Sequence, residues 1–214
     1  LQETLPAKER TQSTTIQTIL GLRKVAKNPN FSSLLLVGAF ISAPFMAYLA
    51  LASYIYIDGF GVSETAFSMY FASNAAASIL GPVMYMRFGA GSVKKVINVG
   101  IIVAIISAIL ILTVGNASPI IFLLSYVLYS IMTSYFRPLI SDLLLSSTKT
   151  DVGAASSVMN FGFTVIGSIG MVVGSLQWSS YTGGLAITML IFISLTTTVW
   201  FYLLKAKSIR FDWK

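Results

Sequence analysis

The chain alternates between long apolar runs and short polar connections. Each of the long runs is roughly twenty residues or more, and at a rise of about 1.5 Å per residue such a helix crosses a hydrocarbon core about 30 Å thick. The predicted spans are about Phe31 to Ile57, Thr65 to Met86, Val93 to Val114, Pro119 to Leu145, Val152 to Leu176 and Thr182 to Leu204. We therefore predict an all-α, polytopic membrane bundle of six transmembrane helices.

Polar and basic segments flank this bundle. Residues 1–30 are predicted to be a cytoplasmic linker, residues 31–204 the bundle, and residues 205–214 a basic cytoplasmic tail. Within the linker, Ile19 and Leu20 lie near one helical face and basic residues follow them, which fits a short amphipathic helix on the anionic surface of the membrane. A solvated linker explains the same residues equally well, so both interpretations stay open.

Basic residues are distributed unevenly among the connections. Lys and Arg cluster in the leading segment, the second and fourth connections and the tail, whereas the other three connections contain none. Because basic loops remain in the cytoplasm, both termini are predicted to be cytoplasmic. The same distribution explains the net charge of +7 without a nucleic-acid partner.

Composition excludes several other classes of protein. With 56% apolar and 10% charged residues and a mean hydropathy of +0.82, the chain is not a soluble globular domain. Its uninterrupted apolar runs are unlike the alternating strands of a porin-type barrel. The chain has no Cys and no His, so it lacks the usual thiolate nucleophile, imidazole base and zinc ligands. We predict a protein that is not an enzyme and needs no cofactor.

The fourth span carries a basic residue in its interior. Arg137 lies roughly 8 to 12 Å from the polar end of this span, at a depth where a charge is costly and usually functional. In a helix, Tyr126, Tyr129, Ser130 and Thr133 share a face with Arg137 because they recur at spacings of three and four. Such a polar and aromatic face is predicted to line a cavity.

Two further spans contribute candidate binding residues. Tyr48 lies near the middle of the first span, after Pro44, whereas Tyr54 and Tyr56 lie at its end and are predicted to be interfacial anchors rather than ligands. Asn74 lies among small residues, where it either bonds across a helix contact or contacts substrate. The predicted substrate-binding set is Tyr48, Asn74, Tyr126, Tyr129, Thr133 and Arg137.

The remaining spans are predicted to be structural. The third span is almost entirely aliphatic and is predicted to be a peripheral helix that faces lipid. The fifth span carries glycines at intervals along its length, a pattern more typical of a helix-packing face than of a binding site.

Several segments resemble one family of transporters. These segments are LQETLPAKER at the start, APF in the first span, FGVSETAFSMYFASNA around the second, and RPLISDLLL followed by DVGAASSVMNFGFTVIGSIG. Together they look like the C-terminal half of a major facilitator superfamily drug exporter of the Bcr/CflA type. The resemblance covers nearly the whole chain and implies one half of a 12-helix fold, partnered by an N-terminal six-helix half.

The resemblance also implies an activity and a location. It implies proton-coupled efflux of drugs or other small molecules by alternating access, with the proton as coupling ion, in the inner (plasma) membrane of a bacterium. The predicted partners are therefore a small-molecule substrate, the lipid bilayer and the N-terminal half. A stand-alone six-helix assembly or scaffold subunit is the alternative. Arg137 either binds an anionic group or snorkels to the cytoplasmic interface.

Single cysteines would test the predicted orientation, because the chain has none of its own. A cysteine at Ser63 or Asn116 should react with an impermeant maleimide added outside intact cells. A cysteine at Ser92 or Ser147 should react only after permeabilisation, since the positive-inside rule places both in the cytoplasm. Labelling of Ser92 or Ser147 in intact cells would reverse the predicted orientation.

Overall fold

A computed structural model describes residues 15–89, 91–147 and 152–205, and within these ranges all regular structure is helical. The helices are α1 (Thr15–Ala26), α2 (Pro29–Ser53), α3 (Glu64–Ser78), α4 (Leu80–Phe88), α5 (Val93–Val114), α6 (Pro119–Ser146), α7 (Val152–Gly174) and α8 (Tyr181–Lys205). A π-helical turn, Tyr54–Gly59, continues α2. The predictions for the opening LQETLPAKER and for most of the basic tail lie outside the described residues.

Among the residues that the structure describes, five helical stretches are long and apolar enough to cross a membrane. They are α2 with its π-helical turn, α5, α6, α7 and α8. Helices α2 and α6 both begin with Pro after a capping side chain, Asn28 or Ser118, which accepts a backbone N–H of the first turn. The chain is therefore a helical bundle of a multi-pass membrane protein, and its many exposed aliphatic side chains suit contact with lipid.

The predicted second span is divided into two shorter helices. A single non-helical residue, Ile79, separates α3 from α4. Pro82 explains the break, because proline has no N–H to donate to the carbonyl four residues earlier, where α3 ends. Gly81 brings α4 against α6, since an added Cβ there would lie 2.5 Å from the Ile131 carbonyl oxygen. Neither helix alone is among the five long stretches, so the count of six spans stays a prediction.

Helix α2 lies at the centre of the bundle. It packs against α6, α7 and α8, while α5 packs on α6 and α8, α3 and α4 pack on α6, and α1 packs on α7. Buried side chains link the outer helices: Ser107 Oγ of α5 donates to the Ser125 carbonyl of α6 at 2.6 Å, and Trp200 Nε1 of α8 donates to Asn98 Oδ1 of α5 at 2.8 Å. Helix α5 therefore buries one face and exposes only the other.

The glycines of α7 form a packing face against α2, as the sequence predicts. A Cβ added at Gly170 would lie 2.5 Å from the Ala43 carbonyl oxygen, and one at Gly174 would lie 2.9 Å from Ala47 Cβ. Gly162 faces another side chain of α2 in the same way. The absence of side chains at these positions lets the two helix backbones approach closely.

Replacing Gly170 by Ala should destabilise the bundle, because the added Cβ would meet backbone that has no rotamer to adopt. We expect a loss of about 1–3 kcal/mol, the usual cost of overpacking, measured as a lower thermal midpoint in detergent. Gly183→Ala is the matched control, since the nearest atom to its added Cβ, in Ser180, is 3.6 Å away. Equal midpoints for the two variants would contradict the close α2–α7 contact.

Candidate functional site

Polar and aromatic side chains from α2, α3 and α6 are buried inside the bundle. Tyr48, Tyr126 and Tyr129 are completely buried, and Asn74 and Thr133 nearly so. The Tyr48 ring stacks on that of Tyr126 with centroids 4.0 Å apart, and Tyr126 lies 5.8 Å from Tyr129. The structure thus places five of the six residues predicted from the sequence in the interior.

Asn74 is the one buried residue of α3. One turn earlier, Phe71 stacks on Tyr48 with centroids 6.1 Å apart, so this part of α3 approaches the tyrosines of α2 and α6. The Asn74 Oδ1 atom has no hydrogen-bond partner, although a bond across the helix contact is what a purely structural role would require. The Oδ1 atom is therefore not bonded across the helix contact, and contact of Asn74 with substrate stays a prediction.

Among the residues that the structure describes, the buried side-chain polar atoms without a hydrogen-bond partner lie in this region. We call the six residues that carry them the inner cluster: Tyr48, Tyr56, Asn74, Tyr126, Ser130 and Thr133. Leaving one such group unpaired costs about 1–3 kcal/mol, and each case in a native protein calls for an explanation. A ligand that enters the bundle would supply the missing partners.

Some members of the inner cluster lie close to another polar side chain, and others do not. The hydroxyls of Tyr48 and Tyr56 interact with each other, and Thr133 interacts with Tyr129, although none of these contacts has hydrogen-bond geometry. The remaining members, which are Asn74, Tyr126 and Ser130, are therefore the groups with the greatest capacity for new hydrogen bonds.

Tyr129 has a different role from its neighbours. Its hydroxyl donates to the backbone carbonyl of Ile41 in α2. That carbonyl follows Phe40, whose own carbonyl lacks its usual helical partner because Pro44 has no N–H. Tyr129 therefore ties α6 to the weakened turn of α2, and its predicted contact with substrate stays a prediction.

Tyr56 belongs to the inner cluster, whereas the sequence predicted it to be an interfacial anchor. It is completely buried, and its ring stacks on Tyr70 of α3 with centroids 5.0 Å apart. Tyr54, by contrast, is exposed as an anchor would be. The π-helical turn accommodates more residues per turn than an α-helix, and the apolar periodicity of α2 contains no signal for it.

Arg137 lies at the surface of the bundle. Its guanidinium carbon is 5.6 Å from the centre of the Phe163 ring of α7, a distance typical of a cation–π contact. The side chain remains exposed, so it is separate from the buried members of the predicted set. Both sequence-based roles for Arg137, a functional charge and a snorkelling anchor, stay predictions.

Helix α7 also has a polar face, which the sequence analysis did not predict. Four exposed residues spaced by three or four define this α7 polar face: Ser157, Asn160, Thr164 and Ser168. The three hydroxyls donate to carbonyls four residues earlier at 2.8–3.0 Å, which makes them tolerable in lipid. Asn160 donates a single long bond of 3.5 Å to Ser156, less than an amide can make. The spacing of three and four is present in the sequence, but the glycines of the same helix indicate only its packing face.

Long apolar helices around a buried polar cluster define a multi-pass membrane protein whose interior could bind a polar ligand. The family described as MFS/sugar transport protein matches residues 2–188, and the chain belongs to this family of membrane transporters.

The chain is also similar to a bacterial protein. It is 28% identical over 173 residues to the "Uncharacterized MFS-type transporter YdgK" of Bacillus subtilis (strain 168), an alignment that covers 79% of this chain and 43% of that protein. The chain thus spans less than half the length of the relative. Membership of the superfamily is confirmed, whereas the Bcr/CflA type and the status of half-transporter stay predictions.

Two tyrosine variants would test whether the inner cluster is unpaired. Tyr129→Phe should destabilise the protein by about 1 kcal/mol, because it removes a hydrogen bond to the Ile41 carbonyl. Tyr126→Phe should leave stability unchanged or raise it, since its buried hydroxyl has no partner to lose. Thermal midpoints in the same detergent would compare the two variants. Equal losses would show that the Tyr126 hydroxyl is bonded in the folded protein.

Proposed function

We propose that this chain is one half of a small-molecule transporter that works by alternating access, with the inner cluster as its share of the substrate site. The observation that carries the proposal is the set of unpartnered polar atoms buried in a membrane transporter family member. Such groups destabilise the fold while they are unpaired, and they gain hydrogen bonds when a substrate reaches them. A scaffold subunit would derive no benefit from this cost.

Two surface features support a second half that covers α7. Arg137 is exposed well inside a membrane-length helix, and an isolated charge at such depth is costly in lipid. Asn160, one turn before Phe163, also presents an exposed amide. Another helical bundle or the water-filled cavity between two bundles would accommodate both groups better than lipid would. Coverage of only 43% of the relative agrees with a longer transporter.

The transport cycle follows from this arrangement. Rocking of the two halves against each other would expose a central site to each side of the membrane in turn. The inner cluster is closed in the described conformation, since its tyrosines are completely buried. Because helices of this half enclose the cluster, rocking alone would not uncover it, and substrate access would also require α3 or α2 to move relative to α6, which carries three members of the cluster.

The chemistry of the inner cluster indicates the kind of substrate. Its unpartnered atoms are hydroxyls and one amide oxygen, and its rings are stacked, so it suits an uncharged, hydrogen-bonding part of a molecule next to a flat or apolar part. Drugs and other small molecules of this kind are the proposed substrates. A sugar, the substrate class in the family's description, would use the same hydroxyls.

Proton coupling and location complete the proposal. We infer that the proton is the coupling ion and that the titrating carboxylates belong to the N-terminal half. On this chain, Asp142 is exposed at the end of α6 and accepts a hydrogen bond of 3.1 Å from the Tyr85 hydroxyl, far along the helix from Tyr126. The proposed site of action is the plasma membrane of a bacterial cell, as the bacterial relative suggests.

Transport by the chain together with an N-terminal half would test the proposal. Efflux of a lipophilic dye and uptake of labelled sugars would be measured in cells that express both halves. Tyr126→Phe should lower transport of the accepted substrate about tenfold, the effect of losing roughly 1.4 kcal/mol of binding. Tyr54→Phe is the matched control, because Tyr54 is exposed and outside the inner cluster.

Two outcomes would overturn the proposal. Wild-type transport by Tyr126→Phe at equal expression would remove the inner cluster from the substrate site. Transport by the purified chain alone, as a monomer in proteoliposomes, would show that no second half is needed.

A further inference from the structure

A groove lies on the outer surface of the bundle between α4 and α5. Both helices pack on α6, whose Met132 and Tyr135 line the cavity together with residues of the two flanking helices. The cavity has a volume of about 260 Å³. It opens at the surface, because Met84, Phe88 and Val99 on its walls are all exposed.

The groove is apolar along its length. Its walls are Met84 and Phe88 of α4 and Val96 and Val99 of α5. Tyr135 presents its ring rather than a free hydroxyl, since that hydroxyl donates to the Gly89 carbonyl at 2.7 Å. A ligand in the groove is therefore held by hydrophobic contact and not by hydrogen bonds to the walls.

One end of the groove is basic. Lys95, in the first turn of α5, is the charged residue among the lining side chains. Arg87 and Lys94 lie nearby in sequence at the facing ends of α4 and α5 and are both exposed. The acidic residue of the three helices, Asp142, is engaged by Tyr85. Since almost all of the lining surface is apolar, Lys95 lines the groove through its aliphatic stem, and the positive charge lies at the rim of this end.

We propose that this groove binds an anionic phospholipid, with one acyl chain along the groove and the phosphate at Lys95. The occupant must be both apolar over several ångströms and negatively charged at one end. Free phosphate has no apolar part, so it would not fill the groove. The location also suits a lipid, because the groove ends at the first turn of a membrane-length helix. A basic side chain near the membrane surface attracts anionic headgroups.

Lipid-selective quenching in nanodiscs would test this site. A single cysteine at Ile102, exposed one turn beyond Val99, would carry a bimane label. Nitroxide-labelled phosphatidylglycerol should quench it more strongly than phosphatidylcholine with the same labelled chain. The same label at Ile109, exposed further along α5, should show no preference for either lipid.

Three variants would distinguish lipid binding in the groove from attraction of anionic lipid by surface charge in general. Lys95→Gln should reduce the preference at Ile102 about fivefold, the effect of one basic side chain near an anionic surface. Lys27→Gln, a charge change beside α1 and away from the groove, should not alter it. Val99→Phe keeps every charge but fills the groove, so it should abolish the preference. Thermal midpoints of all variants would be measured to confirm folding.

Several results would overturn the proposal. Equal quenching by the two lipids at Ile102 would mean that the groove does not select an anionic lipid. A preference that survives Val99→Phe would assign the effect to surface charge alone. Competition by inorganic phosphate would show an ion site, and a signal that depends on the number of protein copies per nanodisc would assign the groove to a second copy.

Discussion

The backbone contact between α2 and α7 fixes the arrangement of the bundle. Gly170 lies so close to the Ala43 carbonyl that no side chain fits between them, and the rest of the α2 surface packs on α6 and α8. In a membrane, such small-residue contacts provide much of the association energy, because lipid chains compete with ordinary apolar packing. With α2 held in this way, Tyr129 can reach the Ile41 carbonyl, and the tyrosines of α2 and α6 stack.

The inner cluster has an energetic cost that this packing must offset. An unpaired hydroxyl or amide in a dry interior destabilises the fold by about 1–3 kcal/mol, and Asn74, Tyr126 and Ser130 each carry such a group. The neighbouring Tyr129 shows that the same helix can satisfy a buried hydroxyl where structure requires it. The two positions therefore differ in a defined way: the Tyr129 hydroxyl holds two helices together, whereas the Tyr126 hydroxyl is buried without a partner, as the proposed substrate site requires.

Much of the fold follows from local rules, and the exceptions have physical causes. Apolar runs and helical spacing anticipated the long helices and the burial of Tyr126 and Thr133 on one face of α6. The break at Ile79 follows from Pro82, but the apolar residues continue through this position, so their pattern predicts one unbroken helix. The inward position of Tyr56 depends on a π-helical turn, which sequence periodicity does not encode. The neighbour of Arg137, Phe163, is set by helix packing and could not be read from either helix alone.

The outward faces of the bundle differ in the polarity of their exposed side chains, and this difference indicates different surroundings for each face. Around α4 and α5 the exposed side chains are aliphatic or aromatic, and charge appears only near the ends of the helices, as lipid demands. On α7 and the adjoining part of α6, by contrast, Asn160 and Arg137 are exposed well inside membrane-length helices. Lipid tolerates such groups poorly. The second bundle that we propose would therefore sit on the face with α7, and the proposed phospholipid would approach the face with α4 and α5.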